Sequence, residues 1–253
     1  MSLWAWPAIA YAAILVVPAI ARGRGALAAL IAGFAAASAA LATLDGAAAR
    51  FIAPLIVLLA GYWLSGPFYT RPSPRLEAWL MRLDDAWRVD ERVAAAPSWL
   101  KLLTDAVYMA CYPFMVAAAI PAFLASREAF AWHWVLVLSA ELACYVTLPW
   151  LQARPPHEIR KIGVRPQFLR RLNERALETL SVRATTIPSG HVAGPIAASL
   201  SVWMIAPEWA PWLMAGALAI AAATVIGRYH YAVDALLGLA TGALPPAIRA
   251  FWP

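Results

Sequence analysis

Residues 51–66 read FIAPLIVLLAGYWLSG, sixteen consecutive positions without a charged side chain. A helix that crosses the hydrocarbon core of a bilayer needs about 20 apolar residues, and this run is nearly that long. The rest of the chain has the same character: 63% of its 253 residues are hydrophobic and 13% are charged, against about 25% charged in a typical soluble domain. With a mean hydropathy of +0.66, the composition predicts a membrane protein and excludes a disordered chain or a disulfide scaffold.

Further apolar runs of similar length lie on both sides of this one, and tryptophans are frequent near their ends, as they are at membrane interfaces. We therefore expect an all-α fold, a polytopic transmembrane helical bundle with about eight spans. The predicted spans are 4–21, 26–44, 51–66, 106–125, 131–151, 190–206, 212–227 and 231–250.

Two polar segments separate these runs, at about 67–105 and 152–189. In the first, apolar side chains recur at helical spacing opposite charged ones, which predicts an amphipathic helix lying in the membrane surface. The apolar set is Leu76, Trp79, Leu80, Leu83 and Trp87, and the opposite set is Arg75, Glu77, Arg82, Asp85 and Arg88.

The net charge of +6 is first a topology signal in such a chain. No basic stripe with interleaved exposed aromatics accompanies it, so we do not expect nucleic-acid binding. With eight spans, 17 of the 20 Lys and Arg residues fall on one side, and only Arg50, Arg127 and Arg249 on the other. The positive-inside rule places the rich side in the cytoplasm of a multi-pass protein of the cell (inner) membrane.

Two cysteines and one glutamate lie well inside apolar runs. Cys111 and Cys144 form no CxxC pair, so we expect small buried side chains and not a metal site or a disulfide. Glu141 lies 13 residues before Arg154, about 20 Å if one helix joins them. At that depth we expect a structural interhelix hydrogen bond or a protonated acid, and not a catalytic group.

Candidate catalytic and binding residues lie in three short segments, all on the side of the membrane that carries most of the Lys and Arg residues. These are Arg154-Pro155-Pro156 after the fifth run, Pro188-Ser189-Gly190-His191 before the sixth, and His230-Tyr231-Ala232-Val233-Asp234 before the last. In the eight-span topology all three meet the same membrane surface, so we expect them to converge on one pocket.

The residue types indicate phosphate chemistry. His230 and Asp234 are one helical turn apart, so the carboxylate can hold one ring nitrogen's proton and leave the other nitrogen as a nucleophile. His191 is placed to protonate a departing alkoxide. Ser189 and Gly190 stand where a helix begins, where free N–H groups favour an anion, and the fork of Arg154 matches phosphate oxygens. We see no metal-ligand cluster and expect metal-independent catalysis without a cofactor.

These segments resemble the motifs of the type 2 phosphatidic acid phosphatase superfamily, which shares its site with bacterial acid phosphatases and vanadium haloperoxidases. That pattern reads K-x6-R-P, P-S-G-H and S-R-x5-H-x3-D. The resemblance implies a phosphohistidine on His230 supported by Asp234, with His191 as general acid. It also implies a six-helix, lipid-phosphatase-like core over 51–253, which includes the interfacial segment 67–105, and two additional N-terminal helices over 1–50.

Two cations of that pattern are missing. Thr147 stands where the family has lysine, and Ala223-Thr224 stand where it has Ser-Arg. Arg228 and Arg183 are the nearest replacements for binding substrate phosphate. This departure is similar to the branch of inositol-phosphorylceramide and sphingomyelin synthases, which pass a phospho-headgroup to an acceptor alcohol.

The sequence therefore predicts an integral membrane lipid phosphatase that hydrolyses a lipid phosphate monoester or diphosphate through a phosphohistidine. One alternative is a lipid phospho-headgroup transferase that uses the same residues. A second is a non-catalytic lipid-handling protein on an inherited fold. Charge counting places the site in the cytoplasm, whereas the resemblance implies an extracytoplasmic site. The sequence does not indicate the exact lipid or an oligomeric state.

Overall fold

The computed structural model describes residues 1–160, 171, 173, 175, 181–182 and 184–251, and over these residues the protein is all-α, as predicted. The helices, numbered along the chain, are α1 (Ala5–Ala21), α2 (Gly25–Leu41), α3 (Ala47–Ser65), α4 (Pro74–Ala86), α5 (Val89–Ala95), α6 (Ser98–Met109), α7 (Cys111–Ala125), α8 (Arg127–Tyr145), α9 (Pro156–Ile159), α10 (Gly190–Ile205), α11 (Ala210–Ile226) and α12 (Ala232–Phe251).

Every predicted apolar run coincides with helix, but two differ in detail. The run 106–125 is split between α6 and α7, which meet at an angle of 53°. The run 131–151 ends as helix at Tyr145, and the chain then turns before Arg154. The long polar segment before α7 contains α4, α5 and most of α6.

The helices differ in whether they are long enough to cross a bilayer. Among the described residues, the helical stretch Ala47–Phe68 is long and apolar enough to cross a bilayer, and α6 with α7 adds a second span if the bent pair is one broken span. Four other apolar helices, α1, α2, α10 and α11, are shorter, at 16–17 residues. At 1.5 Å per residue such helices reach about 25 Å, a little less than a typical hydrocarbon core.

Helix α10 lies at the centre of the bundle and packs against α7, α8, α11 and α12. Small residues let α12 approach it closely: a Cβ added to Gly242 would lie 2.5 Å from the Ala193 carbonyl oxygen, and one on Gly238 would lie 2.7 Å from that of Ser189. Glycines four residues apart are typical of close helix contacts in membrane proteins. This contact fixes the start of α10 against the first half of α12.

The first two helices pack on the remainder of the bundle. Helix α1 contacts α2 and α8, and the Tyr11 hydroxyl donates a hydrogen bond of 2.7 Å to the Gly61 carbonyl in α3. Helix α2 also contacts α3. The N-terminal pair therefore shares the main apolar core.

Helix α4 begins at Pro74 and is capped by Ser73, whose hydroxyl accepts the Leu76 N–H. Its buried side chains are Glu77, Leu80, Met81 and Asp84, while Trp79 and Trp87 are exposed. The amphipathic pattern is real, but Glu77 was expected on the outward polar face and lies inward. The reason is ion pairing, because Glu77 and Asp84 each hold an arginine of the candidate site.

Candidate active site

The three predicted segments meet at the N-terminal ends of α10 and α12. Thr185 N–H donates to the Ala153 carbonyl (2.9 Å), next to Arg154. Ser189 N–H donates to the Asp234 carbonyl (3.0 Å), and the Tyr231 hydroxyl donates to the Arg154 carbonyl (3.0 Å). Segments that are up to 80 residues apart in the sequence therefore share one end of the bundle.

His230 is buried, and its ring is held by a carboxylate and a hydroxyl. Nδ1 lies 3.2 Å from Asp234 Oδ2 and 2.9 Å from Thr185 Oγ1. The Thr185 hydroxyl donates to the same Asp234 oxygen at 3.1 Å. All three contacts are satisfied when His230 Nδ1 carries a proton and donates a hydrogen bond to Asp234 Oδ2. The tautomer assigned from these contacts leaves a lone pair on Nε2, as a nucleophile requires.

His191 contacts the other side of the His230 ring from Asp234. Its Nδ1 lies 3.4 Å from His230 Nε2, and its Nε2 lies 3.3 Å from the Tyr108 hydroxyl. The Tyr108 and His191 rings stack with centroids 5.0 Å apart, and Tyr108 also stacks on Tyr229. Because a tyrosine hydroxyl can donate or accept, it serves both the neutral and the protonated imidazole. Tyr108 therefore fixes the ring that would act as the general acid.

Ser189 and Gly190 lie at the start of α10, directly beside the two histidines. Gly190 N–H donates to Thr186 Oγ1 (3.2 Å). The Ser189 side chain is buried and makes no capping bond to the helix, and its hydroxyl oxygen finds no hydrogen-bond partner in the described part of the chain. Asp234 Oδ1 is buried and unpaired in the same sense. A free buried hydroxyl at a helix N-terminus suits an anionic ligand.

The predicted phosphate-binding arginines are held by carboxylates from α4 and α5. Arg154 forms a two-pronged pair with Glu77, with both N···O distances 2.9 Å, and its side chain is 42% exposed. The Arg228 side chain is 2% exposed and pairs with Asp84 and Asp90. Arg183 lies outside the described residues.

The pKa values of the two paired carboxyl groups are shifted in opposite directions. The Arg154 guanidinium lowers the pKa of Glu77 below its ordinary value. Burial raises the pKa of Asp84, and hydrogen bonds from Ala232 N–H and Arg228 offset part of that rise. At the surface, a hydrogen bond from Arg160 lowers the pKa of Asp85.

Thr147 and Thr224, which replace the two cations of the resembled pattern, form hydrogen bonds to the backbone. Each hydroxyl donates to a carbonyl three residues earlier, of Cys144 and Ala221. The Thr224 carbonyl also accepts the N–H groups of Tyr229 and His230, at 2.9 and 3.0 Å. These contacts end α11 and begin the loop that carries His230.

Glu141 lies closer to this site than its sequence position suggested. A Cβ on Gly190 would lie 2.7 Å from Glu141 Oε2, and one on Gly194 would lie 1.9 Å from Oε1. The sequence-based depth assumed a helix that continues to Arg154, whereas α8 ends at Tyr145. The buried carboxyl therefore packs on the first turns of α10, beside His191.

Sequence reasoning did not identify Thr185, Tyr108 or Asp84 as parts of this site. Thr185 and Thr186 stand directly before the Pro-Ser-Gly-His segment, and such hydroxyls were the available signal. Tyr108 and Asp84 come from distant helices and carry no local signal.

In the part of the chain that the structure describes, no three His, Cys, Asp or Glu side chains are grouped so that they could hold a metal ion. Comparison with protein-family models, curated protein sequences and solved structures gives no match to this chain.

Proposed function

We propose that this protein is an integral membrane phosphatase that hydrolyses a lipid phosphate monoester or diphosphate through a phosphohistidine on His230. The observation that carries the proposal is the continuous line of contacts from Asp234 through His230 to His191. In that order, Asp234 supplies a carboxylate that orients the ring, His230 a nucleophilic nitrogen and His191 an acid, as stepwise phosphoryl transfer requires.

In the first step, His230 Nε2 attacks phosphorus and the bond from phosphorus to the lipid oxygen breaks. Protonated His191 gives its proton to that oxygen, and Asp234 stabilises the charge that develops on the His230 ring. In the second step, neutral His191 takes a proton from water as the water oxygen attacks phosphorus. The phosphorus–nitrogen bond breaks, inorganic phosphate leaves, and both histidines return to their starting state.

The phosphate would be held by the Ser189 hydroxyl, by the positive end of the α10 helix dipole and by Arg154. Arg154 is now paired with Glu77, but its side chain is 42% exposed. A doubly negative phosphate can compete with a single carboxylate for the same planar fork.

The membrane assignment is supported by the outer surface of the bundle. Large apolar side chains are exposed on α1, α3, α7, α11 and α12, among them Val17, Ile52, Leu124, Trp212 and Ile248. A soluble monomer rarely exposes apolar surface on so many helices. We infer that the four shorter apolar helices, and also α8 and α12, cross the bilayer, giving about eight spans and a multi-pass protein of the cell (inner) membrane.

The site lies on the positively charged side, which the charge count assigns to the cytoplasm. Labelling tests this directly. Arg171 is exposed, so Arg171→Cys in a Cys111→Ala, Cys144→Ala background gives one accessible thiol on that side. A membrane-impermeant maleimide that labels it in intact cells would place the site outside; labelling only after lysis would place it in the cytoplasm.

The function is tested by phosphate release from lipid phosphates and diphosphates, with detergent-purified protein and without added metal. Wild type is compared with His230→Ala and with His133→Gln, which removes a buried histidine bonded to Ser201. We expect release that is abolished in His230→Ala and retained in His133→Gln. Equal release by His230→Ala would overturn the proposal.

Headgroup transfer is the second candidate, and the departure of the site from the resembled pattern favours it. Both Arg154 and Arg228 are engaged by carboxylates, and Thr147 and Thr224 replace the pattern's two other cations. If wild type releases no phosphate but forms a new phospholipid when a lipid alcohol is added, in a His230-dependent manner, the transferase is the correct function.

A further inference from the structure

Arg228, which the sequence suggests as a phosphate ligand, points to a different role. Its guanidinium is buried between two carboxylates, with Nη1 2.5 Å from Asp84 and Nη2 2.7 Å from Asp90. Its backbone adopts a left-handed conformation with φ of 60°, which is uncommon for a residue other than glycine. The positive charge is therefore matched by α4 and α5 before any substrate arrives.

Asp84 holds the chain on both sides of His230. One carboxylate oxygen pairs with Arg228, two residues before the histidine. The other accepts the N–H of Ala232 at 3.0 Å, two residues after it. Ala232 is the first residue of α12, where a carboxylate satisfies a free N–H and complements the positive end of the helix.

Backbone hydrogen bonds also hold the loop that carries His230. Tyr229 N–H and His230 N–H both donate to the Thr224 carbonyl, and the Arg228 carbonyl accepts the His157 N–H at 3.1 Å. These bonds fix the backbone, whereas Asp84 joins both ends of the segment from Arg228 to Ala232 through one side chain. Its side chain is fully buried, so water does not compete for these bonds.

We propose that Asp84 is a positioning residue for the reaction: through Arg228 and the Ala232 N–H it holds the loop so that His230 Nε2 faces His191. In this proposal Arg228 helps to hold the loop in place and does not bind the substrate phosphate. This inference rests on the proposed phosphoryl transfer. It explains why an amphipathic surface helix turns a carboxylate inward at position 84.

The kinetic test separates positioning from phosphate binding. In Asp84→Ala we expect kcat to fall by about 100-fold, the loss that a displacement near 1 Å can cause, with KM within about twofold of wild type. Asp84→Asn keeps an acceptor for Ala232 N–H and should lose less activity. The control is Asp85→Asn, which breaks only an exposed pair with Arg160 and should match wild type. An Asp84→Ala variant with unchanged kcat and raised KM would overturn the proposal.

A spectroscopic measurement decides the point even if the protein hydrolyses no lipid tested. The chain has four histidines, so ¹⁵N-histidine NMR in detergent can be assigned with a His230→Gln variant. We expect wild type and Asp85→Asn to show His230 protonated at Nδ1 only. Asp84→Ala and, to a smaller extent, Asp84→Asn should show an averaged mixture of tautomers. A His230 signal unchanged in both Asp84 variants would refute positioning, whereas absent hydrolysis by wild type would refute only the proposed function.

Discussion

His230 Nε2 and His191 Nδ1 lie 3.4 Å apart, although 39 residues separate them in the chain. A phosphoryl group does not fit between nitrogens at this distance, so the substrate must part the two rings as it binds, with phosphorus against His230 Nε2 and the leaving oxygen near the His191 ring. The roles of the two histidines are therefore unequal, and each predicts a different kinetic signature.

If His191 protonates the leaving oxygen, its removal should matter only when that oxygen is a poor leaving group. In His191→Asn we expect hydrolysis of an alkyl lipid phosphate to fall by about 10²–10⁴-fold, the usual contribution of a general acid. Release of nitrophenolate from an aryl phosphate needs no proton, so its first step should fall far less. Single-turnover rates for both substrates measure this, and equal losses would argue against an acid role.

Asp234 should act through the ring of His230. We expect Asp234→Asn to lower kcat by about 10²–10⁴-fold, comparable to the loss of an orienting carboxylate in other histidine-dependent enzymes, while KM changes little. Thr185 shares the same oxygen of Asp234, so Thr185→Val should give a smaller loss in the same direction. A rise in KM without a fall in kcat, in either variant, would show that the pair binds substrate and does not orient His230.

The close contact between Glu141 and Gly194 predicts a sharp difference between two glycine substitutions. A Cβ at Gly194 would lie 1.9 Å from Glu141 Oε1 and 2.7 Å from its Cδ, so Gly194→Ala must displace a buried carboxyl. We expect a loss of about 1–3 kcal/mol in the free energy of unfolding. Gly33→Ala, in α2 with nothing within 4 Å of the new methyl, should be neutral or slightly stabilising.

Thermal unfolding in detergent measures both glycine variants, and a double variant identifies the cause. The cost of Gly194→Ala should shrink in a Glu141→Ala background, because the clashing side chain is then gone. An undiminished cost would mean that another contact is responsible.

The ion pair between Glu77 and Arg154 predicts a pH-dependent stability. The pKa of Glu77 is lowered from an ordinary value near 4.5 by its hydrogen bonds with Arg154. Its contribution is therefore present above that value and is lost as the pH falls through the lowered pKa. At pH 7 the Tm of Glu77→Gln should lie a few degrees below that of wild type, and the gap should close below pH 4.5.

The control for this comparison is Glu91→Gln. Glu91 pairs with Arg88 at the surface, where both side chains are more than half exposed, and such pairs contribute little. Its Tm should follow wild type across the range. A gap for Glu77→Gln that persisted unchanged at low pH would show that packing, and not charge, holds α4.

Much of this organisation could be predicted because the signals are local. The apolar runs mark the helices, and the spacing of His230 and Asp234 predicts their contact, although His230 lies in the loop just before α12. Pro188-Ser189-Gly190-His191 marks a helix start that carries a histidine. Each of these inferences needs only neighbouring residues.

The remainder depends on tertiary packing that local patterns do not encode. Helix α4 has apolar side chains on more than one face, so the pattern could not show that Glu77 and Asp84 turn inward to the arginines. Tyr108 lies in α6, just before the bend to α7, and meets His191 across 83 positions of sequence. Glu141 was placed too deep because the apolar run continues to Leu151, whereas α8 ends at Tyr145, shortly before Pro149.

The phosphohistidine itself tests the account most directly. Purified protein is mixed with ³²P-labelled lipid phosphate and quenched in alkali, and the tryptic peptide of residues 229–249 is isolated. We predict acid-labile, alkali-stable label on His230 in wild type and none in His230→Gln. Phosphate released at the wild-type rate by His230→Gln, or label on another residue of an active enzyme, would contradict the mechanism.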